Sequence, residues 1–303
     1  MLILQVLYRI SLVCLCLIPA GGVLFAAPVK DSVEKSTAQQ AIAYLDSIDH
    51  LESSNLWPNV DPRVFMDNLR FFAVKPLNFY EGKSTNFCSY SALTYLPLRY
   101  DPLAFSKFMI SLYKTGEGRY GRVWFRPSEP VKKEAGLLKY KGALDISPAT
   151  QMWFLVLADH FKGYLNVFNR HFNEGDENTL WASTNLAKFN RMLRKLFNMK
   201  IRSRGSDLLR PWMGNRYDYL VKQKKKGFVF LYLNNRLLYN KKHAAGRIGI
   251  PTHYVLLMDI YKADNGQINI IYWDYGRKSL QQLDERFLKK IIFGITTCSF
   301  RDK

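Results

Sequence analysis

An α+β fold is the class this sequence predicts, and two observations carry it. Helical periodicity dominates the first two-thirds of the chain and strand-like runs the last third. No internal repeat or low-complexity linker divides the 303 residues, and 48% of them are hydrophobic, enough for a sizeable core. Taken in order, 28–60 is polar, with a helical stretch around Ser36 to Leu51 whose apolar side is Leu45, Ile48 and Leu51. It reads as an N-terminal helical segment or a propeptide ahead of a domain over 61–303. Ala92, Leu93 and Leu96 follow Cys88 at helical spacing, and Pro97 is expected to close that helix. Asp101-Pro102 starts another, running to about Tyr113.

A helical insertion is expected at about 114–222. Within it, Pro148 to Phe172 predicts one or two buried helices. Leu180 to Phe197 predicts an amphipathic helix with Lys188, Arg191, Arg194 and Lys195 on its outer face. After the basic run Gln223 to Lys226, the unbroken apolar segment Phe228 to Leu233 reads as a buried central strand. Thr252 to Tyr261 and Gln267 to Tyr275 form a hairpin about Asp264-Asn265-Gly266. A helix over Ser279 to Lys290 and a strand over Ile291 to Cys298 complete the reading.

Composition adds the surroundings. Residues 1–27 hold a single basic residue, Arg9, and an apolar run from Ile10 to Ala27 broken at Pro19-Ala20-Gly21-Gly22, which reads as a secretory signal peptide. The expected product is exported, periplasmic or secreted, with no transmembrane segment after the leader is cleaved. The 44 Lys+Arg against 25 Asp+Glu give +19, a balance that favours an anionic envelope polymer or lipid surface. The basic stretches lack interleaved aromatic residues, so no specific nucleic-acid partner is expected. No Cys-x-x-Cys pair, His-x-x-x-His spacing or phosphate-cradling glycine loop occurs, and neither metal nor cofactor is expected.

Two cysteines, Cys88 and Cys298, follow the leader. An exported chain can join them in a disulfide. Alternatively Cys88, at a helix N-terminus whose field favours a thiolate, is a nucleophile. His253 is then its base and Asp274 the group that orients the imidazole. If Asn265-Gly266 makes a two-residue turn, opposing residue numbers sum to 531 and Asp274 faces Leu257. That is the strand face of His253 but four residues along, roughly 13 Å away. A bulge, extra twist or a longer loop is needed to close the gap. His50, His160 and His171 sit in helical patterns, and His243 in a basic loop, so each is a weaker base than His253.

The segment Asn86-Phe87-Cys88-Ser89-Tyr90-Ser91-Ala92-Leu93, with Thr252 to Ile260 and Tyr272-Trp273-Asp274-Tyr275-Gly276, resembles papain-like cysteine peptidases, nearest the bacterial branch that processes bacteriocin leaders. The resemblance covers the Cys88 helix and residues 228–298. It implies a helix carrying the Cys packed on an antiparallel sheet, with His and Asp on neighbouring strands. It also implies a thiol hydrolase acting on peptide or protein amide bonds. Gly82 stands where the branch often has a Gln that helps hold the oxyanion, which leaves Asn86 as the nearest amide side chain and the Cys88 N–H as the other donor. Ser89 replaces the family's Gly after Cys, and Tyr275 the Pro after Asp. These departures also permit an inactive module that binds an anionic envelope or host partner through its basic surface.

Overall fold

The computed structural model describes residues 34–82, 85–138, 146–239 and 249–301, so the signal-peptide reading of 1–27 lies outside the described residues. Two N-terminal helices, α1 (Ala38–Asp46) and α2 (Pro62–Val74), begin on side-chain caps. Thr37 and Gln40 form a capping box, and Asp61 accepts from Arg63 and Val64 ahead of Pro62. The next pair is α3 (Cys88–Tyr100) and α4 (Pro102–Thr115). Pro97 does not end α3, contrary to expectation. It sits one turn from the end, where its missing N–H removes a single bond, and Asp101 closes the turn by donating to Pro97 O.

The 114–222 span is more than helices. It holds a small hairpin, β1 (Gly118–Tyr120) with β2 (Val123–Phe125), the helices α5 (Glu129–Glu134), α6 (Pro148–His160), α7 (Leu186–Phe197) and α8 (Arg216–Lys224), and one strand, β3 (Met199–Gly205). Nor is it an appendage. From Ala149 to Ala158, α6 is buried on every side, and it shares one apolar core with α2, α3 and α4.

The remaining elements are β4 (Phe228–Leu233), α9 (Asn235–Tyr239), β5 (His253–Lys262), β6 (Ile268–Asp274), β7 (Arg277–Leu283), α10 (Glu285–Ile291) and β8 (Ile292–Phe300). Among the described residues they form, with β3, a six-stranded antiparallel sheet of order β3-β8-β4-β5-β6-β7. The fold is therefore α+β. Phe228, Phe230 and Tyr232 join the helical core on one face, whereas Val229, Leu231 and Leu233 meet Leu220 of α8, Leu237 of α9 and Leu288 of α10 on the other. Both faces of β4 are covered, which explains an apolar run without alternation.

The helix expected over Ser279 to Lys290 forms only in its second half, as α10, and Ser279 to Leu283 belong to strand β7. The Lys and Gln content of β7 suits a helix, but seven successive pairings with β6 outweigh that weak preference. Tyr275 and Gly276, at φ 47° and 75°, supply the two-residue turn between them. On α7, Lys188 is not on the outer face. It is 2% exposed, donates Nζ to Ser183 O at 2.9 Å and lies 5.4 Å from the Tyr90 ring centroid. Burial pushes its ammonium group well below the ordinary lysine range. Arg191, Arg194 and Lys195 of the expected basic face are exposed.

Candidate functional site

Cys88 is the first residue of α3. Phe87 occupies the capping position and provides no side-chain acceptor, and the first turn carries no acid. The first-turn N–H groups therefore keep their positive end for another anion, a thiolate or an oxyanion. Cys88 is half-buried, with Sγ 3.9 Å from Thr252 O.

His253 opens β5, opposite Leu233 at the end of β4. Its approach to Asp274 depends on two irregularities in the hairpin. The loop has three residues, Asp264 to Gly266, closed by Ala263 N–H donating to Gln267 O, so opposing numbers near it sum to 530. A bulge at Met258 then lowers the sum to 529, with Leu257 opposite Tyr272 and Leu256 opposite Trp273. One further step sets Asp274 beside Val255. The offset from His253 is then two residues instead of four, within diagonal reach across a strand pair. His253 Nε2 donates to Asp274 Oδ1 at 2.6 Å, with His253 2% and Asp274 1% exposed. That bond leaves Nδ1 for Cys88, which is in hydrogen-bonding contact with the imidazole. Burial alone would lower the His253 pKa. The Asp274 bond, with the Cys88 contact, outweighs it and holds the imidazole well above its usual range.

Around this trio lie residues that the sequence reading passed over. Tyr239 of α9 donates its hydroxyl to Asp274 Oδ2 and accepts from the Tyr272 hydroxyl at 3.3 Å. The Tyr275 ring stacks on His253, centroids 5.1 Å apart at 19°. A left-handed Tyr is uncommon, and here the conformation places a ring over the imidazole. Glu81 is 1% exposed, and Ser91 of α3 donates its hydroxyl to Oε2 at 3.0 Å. Burial first, then the Asp274 charge, push this carboxyl up to about 8, against the opposing pulls of His253 and Ser91.

Glu81, His253 and Asp274 each offer one atom within 4.8 Å of the others. Within the set, His253 Nε2 and Asp274 Oδ1 are bonded to each other at 2.6 Å. Asn86, expected near the oxyanion, is used elsewhere. Its Nδ2 donates to Thr179 O and its backbone N–H to Glu177 O, both at 2.8 Å, so these contacts make it a loop staple.

Cys88 and Cys298 are both free thiols. Cys298 pairs with Phe228, five residues down β4 from the Leu233 that faces His253. That is roughly 17 Å along the strand, far beyond disulfide reach. Burial pushes the Cys298 thiol up, as for an inert core cysteine. Among the described residues, no helix is long and apolar enough to cross a membrane. Comparisons with family models, with curated proteins and with solved structures find no match to this chain.

Proposed function

We propose that the chain is an exported, papain-like thiol hydrolase that cleaves amide bonds of peptides or proteins. The observation that supports it is one arrangement: a half-buried cysteine at an uncapped helix start, touching a histidine that a buried carboxylate holds at 2.6 Å. In this reading, the Cys88 thiol proton passes to His253 Nδ1, and Sγ bonds to the substrate carbonyl carbon. The oxyanion so formed accepts from the Cys88 backbone N–H at the positive end of α3. His253 returns the proton to the leaving amine as the C–N bond breaks, which leaves a thioester. Water, deprotonated by His253, then attacks that thioester. The carboxylic acid departs and the thiol is restored. Asp274 stays ionised and keeps Nε2–H pointed away from the reacting atoms.

Alkylation of Cys88 by iodoacetamide, followed against pH by mass spectrometry, tests the reading before any substrate is known. The expected result is rapid alkylation near neutral pH, and His253→Ala slows it by about tenfold or more. A wild-type Cys88 that alkylates no faster than a free cysteine, or at a rate that His253→Ala leaves unchanged, overturns it.

A second reading, capture of an anionic envelope polymer, is favoured by one feature. Edge strand β3 and the end of α8 enclose a cavity of about 190 Å³ lined by Lys200, Arg202, Gln223, Lys226, Thr297 and Ser299, with no carboxylate in the lining. Retention on an anionic polymer is expected to weaken with salt, and more so in an Arg202→Ala, Lys226→Ala double variant. Equal retention by the double variant counts against this cavity.

A further inference from the structure

Glu81 is an ionisable side chain that the hydrolytic steps do not use, yet it is buried to 1% exposure among the groups that carry them. It precedes Gly82, whose φ of 82° turns the chain toward the Cys88 helix. Thr85 donates its hydroxyl to the Gly82 carbonyl at 3.2 Å and to the Glu81 carbonyl. The carboxyl then lies between two walls. Ser91, three residues along α3 from Cys88, donates to Oε2 at 3.0 Å. From the sheet, His253 at the start of β5 and Asp274 at the end of β6 present atoms within 4.8 Å. Oε1 is buried and has no hydrogen-bond partner.

We propose that Glu81 is a positioning residue that ties the Cys88 helix to the His253–Asp274 strands and sets the charge held by that pair. The thiol-hydrolase reading enters only in what this means for catalysis; the coupling itself stands on the geometry.

The groups that face Glu81 fix the sign of the effect. Asp274 opposes its ionisation, His253 favours it, and Ser91 on α3 offers a hydroxyl. Tyr275, in the β6–β7 turn, feels the Glu81 charge, and Tyr239 of α9 acts on the cluster through Asp274. With a carboxyl pushed up to about 8, Glu81 is neutral at neutral pH and Asp274 alone balances the imidazolium. Above that pH a second anion joins the pair. Unit charges less than 5 Å apart in a protein medium interact by more than one pKa unit, so His253 should hold its proton to higher pH than Asp274 alone would permit. The thiol site would then keep its general acid in alkaline conditions.

The direct experiment follows the Glu81 carboxyl and the His253 imidazole by ¹³C and ¹⁵N NMR across pH in the whole protein, in wild type, Glu81→Gln and Ser91→Ala. Glu81 should lose its proton near pH 8. The His253 titration should fall by about one unit or more in Glu81→Gln, tenfold in the imidazolium equilibrium. Ser91→Ala should move the Glu81 step upward. A Glu81 ionised at neutral pH, or a His253 titration unmoved in folded Glu81→Gln, overturns the proposal. Should Glu81→Gln fail to fold, wild type decides. A His253 signal with a second inflection at the Glu81 step supports the coupling, and a single-step curve overturns it. Cys88 alkylation separates the two proposals. An unactivated thiol beside a coupled Glu81–His253 pair sinks the hydrolase alone, and an activated thiol with no coupling sinks only the role of Glu81.

Discussion

Asp274→Ala is expected to cost about 3–5 kcal/mol of stability and roughly 10²–10⁴-fold in any thiol-dependent hydrolysis. Both effects have one origin. Asp274 accepts from His253 on one oxygen and from the half-exposed Tyr239 on the other, and the His253–Asp274 bond itself is buried. Removing the carboxylate strands the imidazole in the interior, takes the partner of the Tyr239 hydroxyl and lets His253 turn from Cys88. Asp274→Asn separates charge from shape, because its amide oxygen can still accept from Nε2–H. Here pH decides. His253 is raised above its unfolded value, so the stability it gains from the Asp274 charge is fully present below the unfolded pKa of about 6.5. It is lost as pH rises through the higher folded value. Urea unfolding at a series of pH values should therefore show the gap between wild type and Asp274→Asn widest in mild acid and narrowing in alkali. A gap independent of pH would mean that the pair is held by packing and neutral hydrogen bonding.

How far this site was legible in the sequence depends on the distance over which each residue is determined. The helix that begins at Cys88 and the strands that carry His253 and Asp274 are local features, written in periodicity and in a Gly-containing turn. Their meeting was not so written. A two-residue turn leaves Asp274 four residues from His253, and only the three-residue loop and the Met258 bulge together close the gap. Ile260 falls on the same face as Val255 and Leu257 because of that bulge, a break in alternation that reads as noise without the partner strand. Lys188 was misplaced because helical spacing shows which residues share a face, not that another helix will cover it. Glu81 was invisible for a related reason. A single acid beside a glycine in a loop carries no pattern, and what makes it unusual is three partners from distant segments. The β6–β7 turn did leave a trace, since a left-handed pair ending in Gly276 is a hairpin signal that the helix-favouring residues after it overshadowed.

Trp153→Ala should lower stability by about 3–5 kcal/mol, and the way it does so tests whether the middle of the chain belongs to the same cooperative unit as the site. Trp153 is fully enclosed in α6, in ring contact with Phe105, Phe108, Tyr120 and Phe125. Its Nε1 donates at 2.8 Å to Thr94 Oγ1, on the helix that carries Cys88. An insertion grafted onto a self-sufficient α+β domain would yield here without disturbing the rest. Urea unfolding of such a chain would show an early helical transition while Cys88 kept its folded reactivity. The packing argues otherwise, because α6 lies in one core with α2, α3 and α4, and the same core reaches the sheet at Phe230, Tyr254 and Trp273. Far-ultraviolet circular dichroism and the protection of Cys298 should therefore fall together in one transition, displaced as a whole to lower urea. Trp153→Phe, which keeps most of the ring contacts and loses only the indole bond to Thr94, whose hydroxyl still donates to Tyr90 O, should recover much of the loss. Under conditions where Trp153→Ala is folded, Cys88 alkylation should remain as in wild type, since α3 is still fastened at its start by Phe87 and by the bond from Ser91 to Glu81. Two separate transitions would show that the 114–222 span folds on its own, and the site would then have to be explained by the sheet and α3 alone.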